Sequence, residues 1–130
     1  MDFWTNLQSP EEKATLKLYT DWLTQARQKQ ITPSEQFSIW LILAGRGWGK
    51  TRTGAQDIAL YALRNPDTIS AVIAPTHGDL RRVCFEGISG LLSCIPEDCY
   101  WKGNRKSFNG STYEIHLYNG SKIQGFAAIE

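Results

Sequence analysis

Eight residues, Ala44-Gly45-Arg46-Gly47-Trp48-Gly49-Lys50-Thr51, limit what this chain can fold into more than any others. They follow residues 37–44, a short and nearly all-apolar run (Phe37-Ser38-Ile39-Trp40-Leu41-Ile42-Leu43-Ala44) that predicts a strand buried on both faces of a parallel sheet. They precede Ala55, Ile58, Ala59, Ala62 and Leu63 at helical spacing, with Asn65-Pro66 closing the segment. Glycines between a buried strand and a helix N-terminus let the backbone adopt positive φ and turn its N–H groups inward. The loop then becomes a concave anion nest completed by the helix dipole. A triphosphate is the natural guest, so ATP and Mg²⁺ are the expected cofactors. The nucleotide-binding candidates are Gly45, Arg46, Gly47, Trp48, Gly49, Lys50 and Thr51. Lys50 is expected to reach the β- and γ-phosphates and the Thr51 hydroxyl to bind Mg²⁺. At average residue usage, G-x-G-K-[ST] arises by chance in about one chain in two hundred of this length. The plain alternative is a glycine turn that only links two elements. A strict G-x-x-x-x-G-K-[ST] has glycine where this chain has Ala44, and Trp48 is bulky for such a loop. Its ring is expected either outside the phosphate cradle or against a neighbouring subunit.

The remaining pattern sets the fold class. Ser9-Pro10-Glu11-Glu12 is a helix start, and Ala14, Leu18, Trp22 and Ala26, widened by Tyr19 and Leu23, carry an amphipathic helix to about Arg27. Residues 68–74 (TISAVIA) predict a second buried strand, and Leu80, Val83, Cys84, Gly87, Ile88 and Leu91 a second helix. This order implies a parallel α/β sheet with right-handed crossovers. Tyr113, Ile115 and Leu117 then alternate with polar residues, and Asn119-Gly120 introduces residues 121–127, which predicts an antiparallel hairpin; Asn109-Gly110 offers another tight turn. The expected layout is a helical lead-in over 1–36 and a nucleotide-binding core over 37–130.

Composition excludes several functions. With 130 residues and a net charge of +1, the chain has no whole-chain attraction to nucleic acid or anionic membrane. No apolar run approaches the ~18 residues of a membrane span, and the start Met1-Asp2-Phe3-Trp4 lacks a basic region followed by an apolar stretch, so a cytoplasmic location is expected. Cys84, Cys94 and Cys99 form no C-x-x-C and read as free thiols. His77 and His116 have no paired ligands nearby and receive no metal role.

The run Ala44 to Ala55 (AGRGWGKTRTGA) resembles the variant P-loop of phage terminase large subunits, the motors that package DNA into capsids. Ala74-Pro75-Thr76 and Glu86-Gly87-Ile88-Ser89-Gly90-Leu91-Leu92 are similar to the A-P-T and E-G-x-S-G-L-L stretches of that family. The Asn119-Gly120 hairpin and the ending Phe126-Ala127-Ala128-Ile129-Glu130 also resemble its run towards the next motif, so the likeness covers about Gln28 to Glu130. It implies a P-loop NTPase of the RecA-like, additional-strand group. Such a motor sits as a ring of its own copies on a capsid portal in the host cytoplasm, works with a small terminase subunit and moves double-stranded DNA. Arg46 and Lys50 become the catalytic candidates, with Arg46 near the γ-phosphate; a solvent-facing arginine is its alternative. Gln30 and Gln36 both qualify by position as an adenine reader, with Gln30 preferred.

Phosphoryl transfer to water needs a carboxylate on Mg²⁺ and a residue orienting the water. In terminases these are an Asp-Glu pair ending a further strand, preceded by a trans-acting arginine and followed by a nuclease domain. All are expected beyond Glu130, so the chain reads as a truncated ATPase domain, catalytically incomplete alone. Residues 126–129 followed by Glu130 form a rival acid-bearing strand, set aside because the hairpin makes it antiparallel rather than central and parallel. Two weaker signals remain. The aromatic and basic run Tyr100 to Phe108 suits a nucleic-acid backbone, or a solvated loop with buried rings. Arg81 and Arg82 suit DNA phosphates, or an exposed helix face. The alternatives for the whole chain are a helicase-type P-loop ATPase fragment, suggested by Ala74-Pro75-Thr76, and a non-catalytic assembly module docking through its first helix or the Trp48 loop.

Overall fold

The computed structural model describes residues 9–45, 47–103 and 108–129. Helix α1 (Pro10–Gln25) starts as its sequence requires: the Ser9 hydroxyl accepts from the Glu12 N–H at 3.1 Å while the Glu12 carboxylate accepts from the Ser9 N–H at 3.1 Å. It buries Thr15, Leu18 and Trp22. It stops two residues before the expected Arg27, because Ala26 is extended, and a 3₁₀ turn (Gln28–Gln30) follows. Helix α2 (Lys50–Arg64) buries Ala55, Ala59, Leu60, Ala62 and Leu63. Its far end is held by the hairpin turn: the Asn119 side-chain amide donates to Ala62 O at 2.9 Å and Leu63 O at 3.1 Å.

The sheet has three strands in the order β1-β3-β2, with β1 (Ile69–Ala74), β2 (Glu114–His116) and β3 (Lys122–Ala127). The expected hairpin is present, β2 pairing antiparallel with β3 in the register Ile115↔Ile123, around a turn in which Gly120 takes φ 87°. Strand β3 also runs parallel to β1, in the register Ile69↔Lys122 to Ala74↔Ala127, and is therefore central. This removes the ground on which residues 126–129 were set aside as an acid-bearing strand; Glu130 itself lies outside the described residues.

Three expectations fail. Residues 37–44 form no strand: the segment pairs with no strand among the described residues, and Ile39, Leu41 and Leu43 are largely exposed. An apolar, β-rich sequence becomes a strand only when a neighbour takes its backbone groups, and β1 hydrogen-bonds along one edge only, to β3. Strand β1 is likewise buried on one face rather than both. Val72 and Ala74 turn inward while Ile69 and Ile73 remain about 70 % exposed. The second helix is broken into α3 (His77–Asp79), a π-helical turn (Leu80–Phe85) and α4 (Leu91–Cys94). The chain turns back closely after the break, and only glycine allows it: a Cβ on Gly90 would stand 2.7 Å from Phe85 O and 2.9 Å from Cys84 O. Gly90→Ala is therefore expected to lower stability by about 1–3 kcal/mol, seen as an earlier thermal midpoint by circular dichroism.

The core lies where α1, α2, the π-helical turn, α4 and the sheet converge. Leu63, Leu80, Phe85, Leu91, Ile95, Tyr100, Ile115 and Ile123 are all fully buried there. Cys84, Cys94 and Cys99 are free, as expected. Burial pushes the Cys99 thiol up to about 11 despite its contact with the Thr15 hydroxyl at 3.6 Å, and burial also raises Cys84 and Cys94. Since the thiolate is the reactive form, Ellman's reagent at mildly alkaline pH is expected to label the native chain far more slowly than the chain in guanidinium. Equal rates would place these thiols at the surface. No described helix is long and apolar enough to cross a membrane.

Candidate functional site

The two long helices begin in opposite ways. Helix α1 has a side-chain cap and acids at Glu11 and Glu12. Helix α2 begins at Gly49 with no side-chain cap and no acid in its first turn, which instead carries Lys50 and Arg52. Helical geometry leaves the Lys50, Thr51 and Arg52 N–H groups without an intrahelical acceptor, and the macrodipole adds positive potential at the same end. Cations there raise that potential further, which is unfavourable in itself and suits an anionic guest.

The glycine loop is shaped accordingly. Gly47 (φ 83°) and Gly49 (φ 92°) adopt the left-handed conformation that glycine alone takes without strain. Ala44 takes no positive φ, and its carbonyl accepts from the Lys50 ammonium at 2.8 Å. Only the backbone of Ala44 is used, so alanine serves where the strict pattern has glycine. Thr53 closes the first turn, its hydroxyl donating to Gly49 O at 2.8 Å.

A cleft of about 540 Å³ opens over this loop, lined by residues 47–52 on one side and by Arg82, Val83 and 87–89 on the other. Its wall carries Lys50, Arg52 and Arg82 and no carboxylate. The structure thus brings together Gly47, Trp48, Gly49, Lys50 and Thr51 from the sequence candidates. Gly45 is placed just before them, its carbonyl accepting from the Trp48 N–H at 3.4 Å. Arg46 lies outside the described residues. Gln30 is buried against the loop, and Gln36 is exposed.

Pattern alone missed two cleft residues. Arg52 follows the motif but was not singled out. Arg82 was weighed only for DNA, since nothing in the sequence announces the π-helical turn that carries it. Arg81 is turned elsewhere, its guanidinium 3.4 Å from the Glu86 carboxylate and donating to Gly110 O at 3.3 Å.

Residues 41–129 match the family model of the terminase large subunit, T4-like virus type, N-terminal region. That span is well over half of the chain. The chain belongs to this family. No curated protein and no solved structure matches it.

The other stretches of this terminase chain that carry the resemblance have local structural reasons. In Ala74-Pro75-Thr76, strand β1 ends at Ala74 and the Thr76 hydroxyl accepts from the Asp79 N–H at 3.1 Å, which starts α3. In residues 86–92, Gly87 and Gly90 permit the close backbone turn after the π-helical segment. Within the aromatic and basic run, Tyr100 is fully buried and bridges to Leu117, Trp101 is half exposed, and residues 104–107 lie outside the described residues. His77 stacks on Tyr113 with ring centres 5.7 Å apart, and His116 lies 3.7 Å from Glu114. No cluster of three metal-ligating side chains occurs among the described residues.

Proposed function

We propose that this terminase chain holds the nucleotide of a DNA-packaging motor, with a P-loop ATPase site built on Gly45 to Thr51. The observation that carries the reading is the start of α2, which lacks both cap and acid and faces a cleft walled by three cations. The residues fit MgATP: positive-φ glycines and uncapped N–H groups suit its phosphates, Lys50 supplies a mobile charge beside the loop, and the Thr51 hydroxyl is a hard oxygen suited to Mg²⁺. The Thr51 hydroxyl would hold Mg²⁺, which would supply charge neutralisation, while Lys50 and the loop amides would orient the chain of phosphates. The motor reading brings with it double-stranded DNA, a portal, a small terminase subunit and further copies of this chain, in the cytoplasm of an infected cell. Calorimetry with millimolar MgATP and with Mg-tripolyphosphate tests the site. Heat from both is expected, and silence from both would end the P-loop assignment.

The same chain is proposed not to turn ATP over by itself. The cleft wall has no acid to hold Mg²⁺ or orient water. Ile39, Leu41, Leu43, Ile69, Ile73 and Phe126 are exposed apolar residues, and those on β1 and β3 lie on a sheet face of the kind that packed helices cover in a complete parallel sheet. Phosphate release by the chain is therefore expected to stay at background. Release that depends on Lys50 would contradict this, and its loss in Glu130→Gln would assign the missing acid to Glu130.

A further inference from the structure

Resting on the P-loop reading, we infer that Arg27 and Gln30 are positioning residues for the phosphate nest: they pin the Trp48 carbonyl so that the Gly49 N–H is aimed into the cleft. The 3₁₀ turn after α1 reaches the loop through side chains. The Arg27 guanidinium donates to Trp48 O and stands over the Trp48 ring, 5.1 Å from its centre. Gln30 is 8 % exposed and its amide is engaged at both ends. The carbonyl accepts from the Arg27 N–H at 2.9 Å, and the NH₂ group donates to the Thr53 hydroxyl at 3.1 Å and to Trp48 O at 3.4 Å.

A trans peptide is planar, with its C=O and N–H pointing in opposite directions. Holding Trp48 O towards Arg27 and Gln30 therefore turns the Gly49 N–H the other way. Neither Arg27 nor Gln30 lines the cleft, whereas Gly49 does, so that other way is the cleft side. The Gly49 N–H donates to no group among the described residues. Position 49 needs glycine for its φ of 92°, and the Gln30 amide packs close behind it, its NH₂ nitrogen 2.8 Å from where a Cβ would stand. Preorganised amides bind an anion better than amides that must rotate into place, because the orientation cost is met on folding.

The test compares Arg27→Ala, Gln30→Ala and Lys50→Ala in the full chain, titrated with Mg-tripolyphosphate and with MgATP while the Gly49 amide ¹H–¹⁵N peak is followed. Arg27 and Gln30 each contribute a hydrogen bond to the pinned carbonyl, so each alanine variant is expected to weaken both ligands alike, by about five- to tenfold. The Gly49 peak is expected to move in the free variants and to lose part of its downfield displacement on binding. Gln30→Ala changes no charge, so its loss is not an electrostatic effect of removing a cation. If Gln30→Ala weakens MgATP but leaves tripolyphosphate untouched, the residue reads adenine and the positioning role is overturned. If both variants bind like the parent chain while Lys50→Ala binds poorly, the positioning role falls and the P-loop stands. If Lys50→Ala also binds like the parent chain, the P-loop reading falls and takes this inference with it.

Discussion

Lys50→Ala is expected to weaken binding of MgATP and tripolyphosphate by on the order of a hundredfold while leaving the fold intact. A hydrogen bond from a charged donor contributes about 1.5–3 kcal/mol, and a lysine spanning two phosphates makes more than one such bond. Its ammonium is 2.8 Å from Ala44 O, within the loop itself, so it has only to exchange that carbonyl for phosphate oxygens. The side chain is exposed and contributes nothing to the core, so the melting midpoint is expected to stay within a few degrees of the parent chain. Calorimetry gives the affinity, and a melt in the absence of ligand gives the control. Retention of affinity within about threefold would mean that the loop amides alone hold the anion, a weaker site than a P-loop lysine makes.

What was legible from sequence follows from which contacts are local. The capped start of α1, the span of α2 and the turns at Asn109-Gly110 and Asn119-Gly120 depend on residues within a few positions of one another, and all form. The left-handed turn of the glycine loop was legible for the same reason, since positive φ at Gly47 and Gly49 needs only glycine at those positions before a helix. Residues 37–44 failed because a strand is a pairing, and a nearly all-apolar run specifies burial without supplying the neighbour. The π-helical turn was missed because its apolar residues fit ordinary helical spacing, and periodicity does not register the close backbone turn that follows Phe85. Arg82 was lost with it. Arg27 and Gln30 meet the loop across about twenty residues of chain, a separation at which side-chain contacts leave no periodic trace.

The glycine loop is supported from two sides. On one side the turn after α1 holds the Trp48 peptide; on the other, the cleft wall is set by the segment that leaves β1 at Ala74 and passes through the π-helical turn. The hairpin anchors α2 at its opposite end, through the hydrogen bonds of the Asn119 amide to Ala62 O and Leu63 O.

Phe85→Ala is expected to have the largest effect on stability, about 3–5 kcal/mol. The ring is fully buried at the end of the π-helical turn, with ring centres 5.2 Å from Phe108 and 6.2 Å from Tyr113. It also lies over β3, where a Cβ on Gly125 would come within 2.8 Å of it, so the sheet has no side chain at that point to fill a void. Against a total stability of about 5–15 kcal/mol for a chain of this size, the loss takes away a large fraction of the folding free energy. A fall in melting midpoint of roughly 10–20 °C is expected by circular dichroism. Phe85→Leu preserves most of the volume and is expected to recover more than half of the loss. Because the ring anchors the turn that carries Arg82, Phe85→Ala should weaken tripolyphosphate binding even at temperatures where the chain remains folded, whereas Phe85→Leu should not. A Phe85→Ala chain that melts within about 3 °C of its parent would mean that the ring is not part of the packed core, and the wall it supports would lose its physical basis.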